Sequence, residues 1–88
     1  SAGTKTTVQV KTYPGKTTYA LGEGFDTAGV LAVIQSGGTE KDISGKVGFY
    51  TSKTVQLTQG RPFTTTGKKV VEIRYNGEKI AEYTIVVE

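Results

Sequence analysis

The chain has no cysteine, no histidine, no methionine and no tryptophan, and only two prolines among its 88 residues. Without cysteine there is no disulfide, no thiolate metal site and no thiol nucleophile. Without histidine, the side chain most used as a general base and as a transition-metal ligand is missing. Ser-His, Cys-His and His-carboxylate catalytic sets are therefore excluded by composition alone. No apolar run approaches the length of a membrane-crossing helix, so no membrane span is expected. The absence of an initiating methionine reads as a processed or excised piece of something larger. Ser1-Ala2-Gly3 reads as a cloning remnant ahead of a single domain over 4–88.

What is present points to strands and turns. Threonine occurs fifteen times and glycine twelve, with valine, isoleucine and tyrosine behind them. No window sustains a helical period. The net charge is +3, from eleven basic and eight acidic residues. Most lysines stand singly at alternate strand positions or in turns, as on a solvated, aggregation-resistant surface. Attraction to polyanions, such as wall teichoic acid or nucleic acid, is the functional alternative, and Lys68-Lys69 is the only concentrated basic pair.

The segment Lys69 to Val87 frames the domain. Two β-branched and aromatic arms flank Asn76-Gly77, the dipeptide best suited to a tight hairpin because both residues tolerate positive φ. A plain two-residue loop would put Val71 opposite Glu82 and set Tyr83, Ile85 and Val87 on the wrong face. The apolar pattern therefore favours a three-residue loop, pairing Arg74 with Glu78 and Val71 with Ala81, or else a bulge along Ile80-Ala81. Either way the expected core face is Val71, Ile73, Tyr83, Ile85 and Val87.

Upstream, Thr4 to Thr12 alternates with Val8 and Val10 inward, and Tyr13-Pro14-Gly15 ends that strand. Lys16 to Leu21 resumes as a short edge piece that switches sheets, with Tyr19 and Leu21 on one face. Phe25 anchors a glycine-rich loop as a plug at the end of the sandwich. Val30 to Gln35 reads as a central strand, and Glu40 to Ile43 as a short return. Val47 and Phe49 point inward and Tyr50 outward, followed by a short strand at Val55 and Leu57 and a loop into Phe63. About seven short strands separated by turns give an all-β β-sandwich without a disulfide, with a five-stranded barrel as the alternative.

The order and spacing of several stretches carry a family likeness. They are Thr18-Tyr19-Ala20-Leu21-Gly22-Glu23-Gly24-Phe25-Asp26, then Gly29-Val30, then Gly38-Thr39-Glu40-Lys41-Asp42-Ile43. Near the end come Gly67 to Gly77 and Ala81 to Val87. Together these resemble the bacterial immunoglobulin-like modules of the group 3 and group 4 type. The resemblance implies an immunoglobulin-like sandwich acting as a non-catalytic spacer or accessory module in a secreted or wall-attached protein, such as an adhesin or surface glycosidase. It implies an extracellular setting, a monomer, and neighbouring domains of the same chain as partners, without cofactors.

Site candidates are few. Sugars stack on exposed tyrosine rings, and Tyr13 and Tyr50 are the best exposed candidates for contact with cell-wall or host glycans; Tyr19, Tyr75 and Tyr83 are expected in the core. Glu23, Asp26, Glu40 and Asp42 are the carboxylates near which glycoside cleavage would have to be sought, but turn and strand roles suit them better, Asp26 as an Asx-type cap. Calcium at Glu23 and Asp26 would lack ligands. An isopeptide bond to Asn76, the only asparagine, is implausible in a hairpin turn. Single-stranded nucleic acid needs basic and aromatic residues interleaved on one face. The outward hairpin face instead mixes Glu72, Arg74 and Glu82, so no nucleic-acid partner is expected.

Overall fold

Extended chain dominates the computed structural model, which describes residues 5–88. Ser1-Ala2-Gly3, read above as a cloning remnant, and Thr4, read as the start of the first strand, lie outside the described residues. Among the described residues eight strands follow one another: β1 (Thr6–Thr12), β2 (Thr18–Tyr19), β3 (Leu31–Ser36), β4 (Thr39–Asp42), β5 (Gly48–Tyr50), β6 (Gln56–Leu57), β7 (Gly67–Tyr75) and β8 (Glu78–Val87). A single 3-10 turn, Ser44–Lys46, interrupts them. Among the described residues no helix is long and apolar enough to cross a membrane.

The strands form two sheets, ordered β1-β3-β4 and β2-β8-β7-β5-β6. This is an all-β, two-sheet arrangement compatible with a sandwich. The run Val30 to Gln35 does supply the central strand of the smaller sheet, paired on both sides. The break at Tyr13-Pro14-Gly15 moves the chain from one sheet to the other: β1 pairs antiparallel with β3, whereas β2 pairs parallel with the end of β8.

The β7–β8 hairpin settles the register question. Its loop has two residues, with Asn76 at φ 51° and Gly77 at φ 82°, and Tyr75 faces Glu78. The three-residue loop is thus not adopted. Instead Ile73 faces Ala81 and Arg74 faces Lys79, so Ile80 is an extra residue in β8. That bulge returns Val71 to a position opposite Tyr83 and puts Val71, Ile73, Tyr83, Ile85 and Val87 on one face, as the apolar pattern requires.

The core grows on that face. Val71, Ile73, Ile85 and Val87 are buried together with Tyr19, Phe25, Phe49, Leu57 and Phe63, while Val10, Val30 and Tyr83 pack at its margin. Tyr75 and Tyr83, expected inside, are only half-buried. Leu21 does not join Tyr19 on an inner face. β2 stops at Tyr19, the chain turns through a bond from the Glu23 N–H to the Ala20 carbonyl, and Leu21 is left 54% exposed.

Candidate functional site

The densest set of specific polar contacts surrounds Tyr19 and the loop that follows it. The buried Tyr19 hydroxyl donates to the Asp26 carbonyl at 3.1 Å and accepts from the Asp26 N–H at 3.0 Å. Asp26 Oδ1 accepts from the Ala28 N–H at 2.9 Å, the Asx-type turn expected of it. Glu23 has one carboxylate oxygen on the Ala20 N–H and the other on Lys16 Nζ at 3.0 Å. These contacts hold its pKa below the ordinary value, the Ala20 bond contributing most. Glu23 and Asp26 are therefore turn-fixing groups rather than an open pair of acids.

A second loop completes this end of the molecule. The Phe25 N–H bonds the Arg61 carbonyl, the Gly60 N–H bonds the Phe25 carbonyl, and the Phe63 N–H bonds the Glu23 carbonyl. Gln59 Oε1 accepts from both the N–H and the hydroxyl of Thr27. Gly24 lies so close that a Cβ there would sit 2.8 Å from the Gly60 carbonyl oxygen, which requires glycine. Residues 22–27 and 58–63 thus form an irregular ribbon over the aromatic cluster.

The two tyrosines singled out for glycan contact stand on opposite faces of the larger sheet. Tyr13 is 41% exposed and packs against Tyr83, which lies on the inner face of β8, with ring centroids 5.7 Å apart. Tyr50 is half-buried on the outer face, in register with Glu72. The Arg74 guanidinium lies over its ring, 4.3 Å from the centroid. Arg74 also bonds Glu72 at 2.9 Å and reaches the Ser52 and Lys53 carbonyls, tying the segment after β5 down. One face of Tyr50 is therefore already occupied by a cation. The alternation of charges in Glu72 and Arg74 was visible in sequence, but their position over Tyr50 depends on the β5–β7 pairing.

The remaining acids are similarly engaged. Asp42 Oδ1 accepts from the Ser44 N–H, and Glu40 pairs with Lys11 at 2.5 Å. Glu82 pairs with Lys79, which raises the lysine pKa. Among the described residues no three side chains of metal-ligating type come together. Surface clefts lie on both sheets. One, about 340 Å³, lies on the smaller sheet between Ile34, Ser36, Thr39 and Lys41. The other, about 100 Å³, lies beside β6 and includes Arg61 and Lys69. Sequence reading missed the second, because its cations are eight positions apart and separated by a turn; of the noted pair Lys68-Lys69, only Lys69 shares the Val71 face.

No family model, curated protein or solved structure matches the chain.

Two tyrosines whose hydroxyls are turned in from solvent give opposite predictions for one chemical change. Tyr19→Phe strips both partners from the Asp26 backbone and is expected to cost about 1–3 kcal/mol in chemical denaturation. The Tyr83 hydroxyl is buried without a hydrogen-bond partner, so Tyr83→Phe is expected to raise stability by about 1 kcal/mol. Burial raises the Tyr83 pKa well above its usual range, with a smaller contribution from Tyr19. An unfolded phenol ionises near pH 10, so below that pH both states keep the proton, and stability is lost as pH rises from there towards the folded value. The Tyr83→Phe variant should show a shallower alkaline loss of stability than the parent.

Proposed function

We propose that this chain is an immunoglobulin-like accessory module, a non-catalytic spacer within a larger secreted or surface-attached bacterial protein. The observation that carries the reading is the shape. The chain measures 50 × 23 × 17 Å along its principal axes. Thr6 pairs with Ser36 at the far end of β3, whereas Glu88 bonds Tyr19 and Leu21 beside the Phe25 cluster. A unit entered at one end of a rod and left at the other adds length between whatever flanks it.

The distribution of charge supports the same role. Glu23, Asp26, Glu40, Asp42, Glu72 and Glu82 all hold turns or cations rather than converging on a cleft. The exposed edge strand β4 carries Glu40, Lys41 and Asp42 in succession. Antiparallel pairing of two copies centred on Lys41 would oppose lysine to lysine and glutamate to aspartate, which disfavours edge-to-edge association. A monomer follows from this reading.

Spin labels at Lys5→Cys and Glu88→Cys test it directly. A spacer requires a narrow distance distribution approaching the 50 Å long axis. A short or broad distribution would remove the mechanical role. A titration with wall oligosaccharides, followed at Tyr13 and Tyr50, separates the carbohydrate-binding alternative, which requires saturating shifts at one of those rings.

A further inference from the structure

The cleft beside β6 has a chemistry of its own. Among the described residues Arg61 and Lys69 are its only charged lining groups, and Thr51, Thr64 and Thr65 add three hydroxyls around the wall formed by Phe63. Neither cation belongs to any of the four ion pairs among the described residues. The acids are committed elsewhere: six are held in turns or pairs as described, Glu78 sits at the hairpin tip and Glu88 at the β2 edge. Two neighbouring cations are thus left without an internal counter-charge.

We propose that this cleft binds a small oxyanion, the phosphate or carboxylate group of a ligand, between Arg61 and Lys69. Both side chains are already held. One Arg61 terminal nitrogen donates to the Gln56 carbonyl at 2.5 Å, and Lys69 Nζ donates to Thr65 Oγ1 at 2.7 Å. Each retains further N–H groups for a ligand, since a guanidinium has five and an ammonium three. The Thr65 oxygen accepts from Lys69, which leaves its own proton free to donate. The loop beneath is fixed by the bonds of Arg61 to Thr58 and Phe25, and by the Gly24–Pro62 bridge. The donors are therefore positioned before the anion arrives, and the planar guanidinium fork suits oxygen pairs better than a spherical ion. Phe63, buried at the wall, keeps one side of the cleft dry and strengthens the attraction. This proposal does not rest on the spacer reading.

The test is a titration of the isotopically labelled full chain with inorganic phosphate and, separately, with acetate, against chloride at matched ionic strength. Saturating amide shifts are expected at Thr51, Arg61, Thr64, Thr65 and Lys69, with a Kd on the order of 1–10 mM for at least one oxyanion. Saturation by phosphate alone assigns a phosphoryl ligand, and saturation by acetate alone a carboxylate. Arg61→Gln and Lys69→Gln should each weaken binding about tenfold or more, and Arg61→Lys should weaken it less, with spectra elsewhere unchanged as the control for folding. Linear shifts spread over all lysine-bearing surfaces, equal shifts with chloride, or unaltered affinity in a folded Lys69→Gln variant would overturn the proposal.

Discussion

Replacing Phe25 with alanine should destabilise the chain by about 3–5 kcal/mol in chemical denaturation, the range for a buried aromatic truncated to a methyl group. The upper end is expected here for a geometric reason. The Phe25 side chain is fully buried and has rings on three sides: Tyr19 at 6.1 Å, Phe49 at 5.5 Å and Phe63 at 6.1 Å between centroids, the last two edge-on. Edge-to-face contacts of this kind add to the area term. A cavity costs less when its walls can move in, but this wall is pinned. Phe25 exchanges backbone bonds with Arg61 and Gly60, and Gly24 is already against the Gly60 carbonyl. A domain of ordinary stability, about 5–15 kcal/mol, would keep little margin. A loss below about 1.5 kcal/mol would show that the 22–27 ribbon collapses onto the gap, and that Phe25 does not organise this end.

The contrast between Phe25 and its surroundings shows what a sequence makes legible. A single large aromatic in a glycine-rich loop signals an anchor from local composition, as Asn76-Gly77 signals a turn and Val30 to Gln35 a central strand. The core face of the last hairpin was also readable, because period-two alternation must satisfy burial whatever the loop does. Between its two registers the sequence could not choose: a three-residue loop and a bulge at Ile80 both restore the apolar face. Turn energetics decide, since Asn and Gly both adopt positive φ and make a two-residue loop favourable.

Contacts between distant segments left no local trace. The docking of Gln59 on Thr27, the parallel pairing of β2 with the end of β8, and the placement of Arg74 over Tyr50 each join residues far apart in the chain. They depend on sheet order, which no turn signal encodes. Tyr50 shows the consequence for site reading. Alternation correctly turned it away from the core, but whether an outward ring is bare depends on the neighbouring strand. The register opposes Gly48 to Arg74, so the guanidinium falls over the ring of the residue two positions on. An outward aromatic in a sheet is a free platform only when its cross-strand neighbours are small or turned aside.

The bulge at Ile80 makes deletions on the two arms of the hairpin strongly unequal. Removing Ile80 converts β8 into a regular partner of β7: Arg74 still faces Lys79 and Ile73 still faces Ala81, so every core side chain keeps its face. The cost is the partial burial of one isoleucine, about 1–2 kcal/mol. Removing Ile73 has no such escape. If the turn end keeps its pairing, Glu72 takes the inward place opposite Ala81; if the far end keeps its pairing, Arg74 takes it. Ile73 is fully buried. Losing it costs about 1.5–3 kcal/mol, and burying an unpaired charge in its place adds several more. The sum is comparable to the whole stability of a small domain. Urea denaturation should therefore show a folded, cooperative chain lacking Ile80 and an unfolded one lacking Ile73. Equal behaviour of the two would mean that β7 and β8 slide freely, and that the stacked rows of Val71, Ile73, Ile85 and Val87 do not set the register.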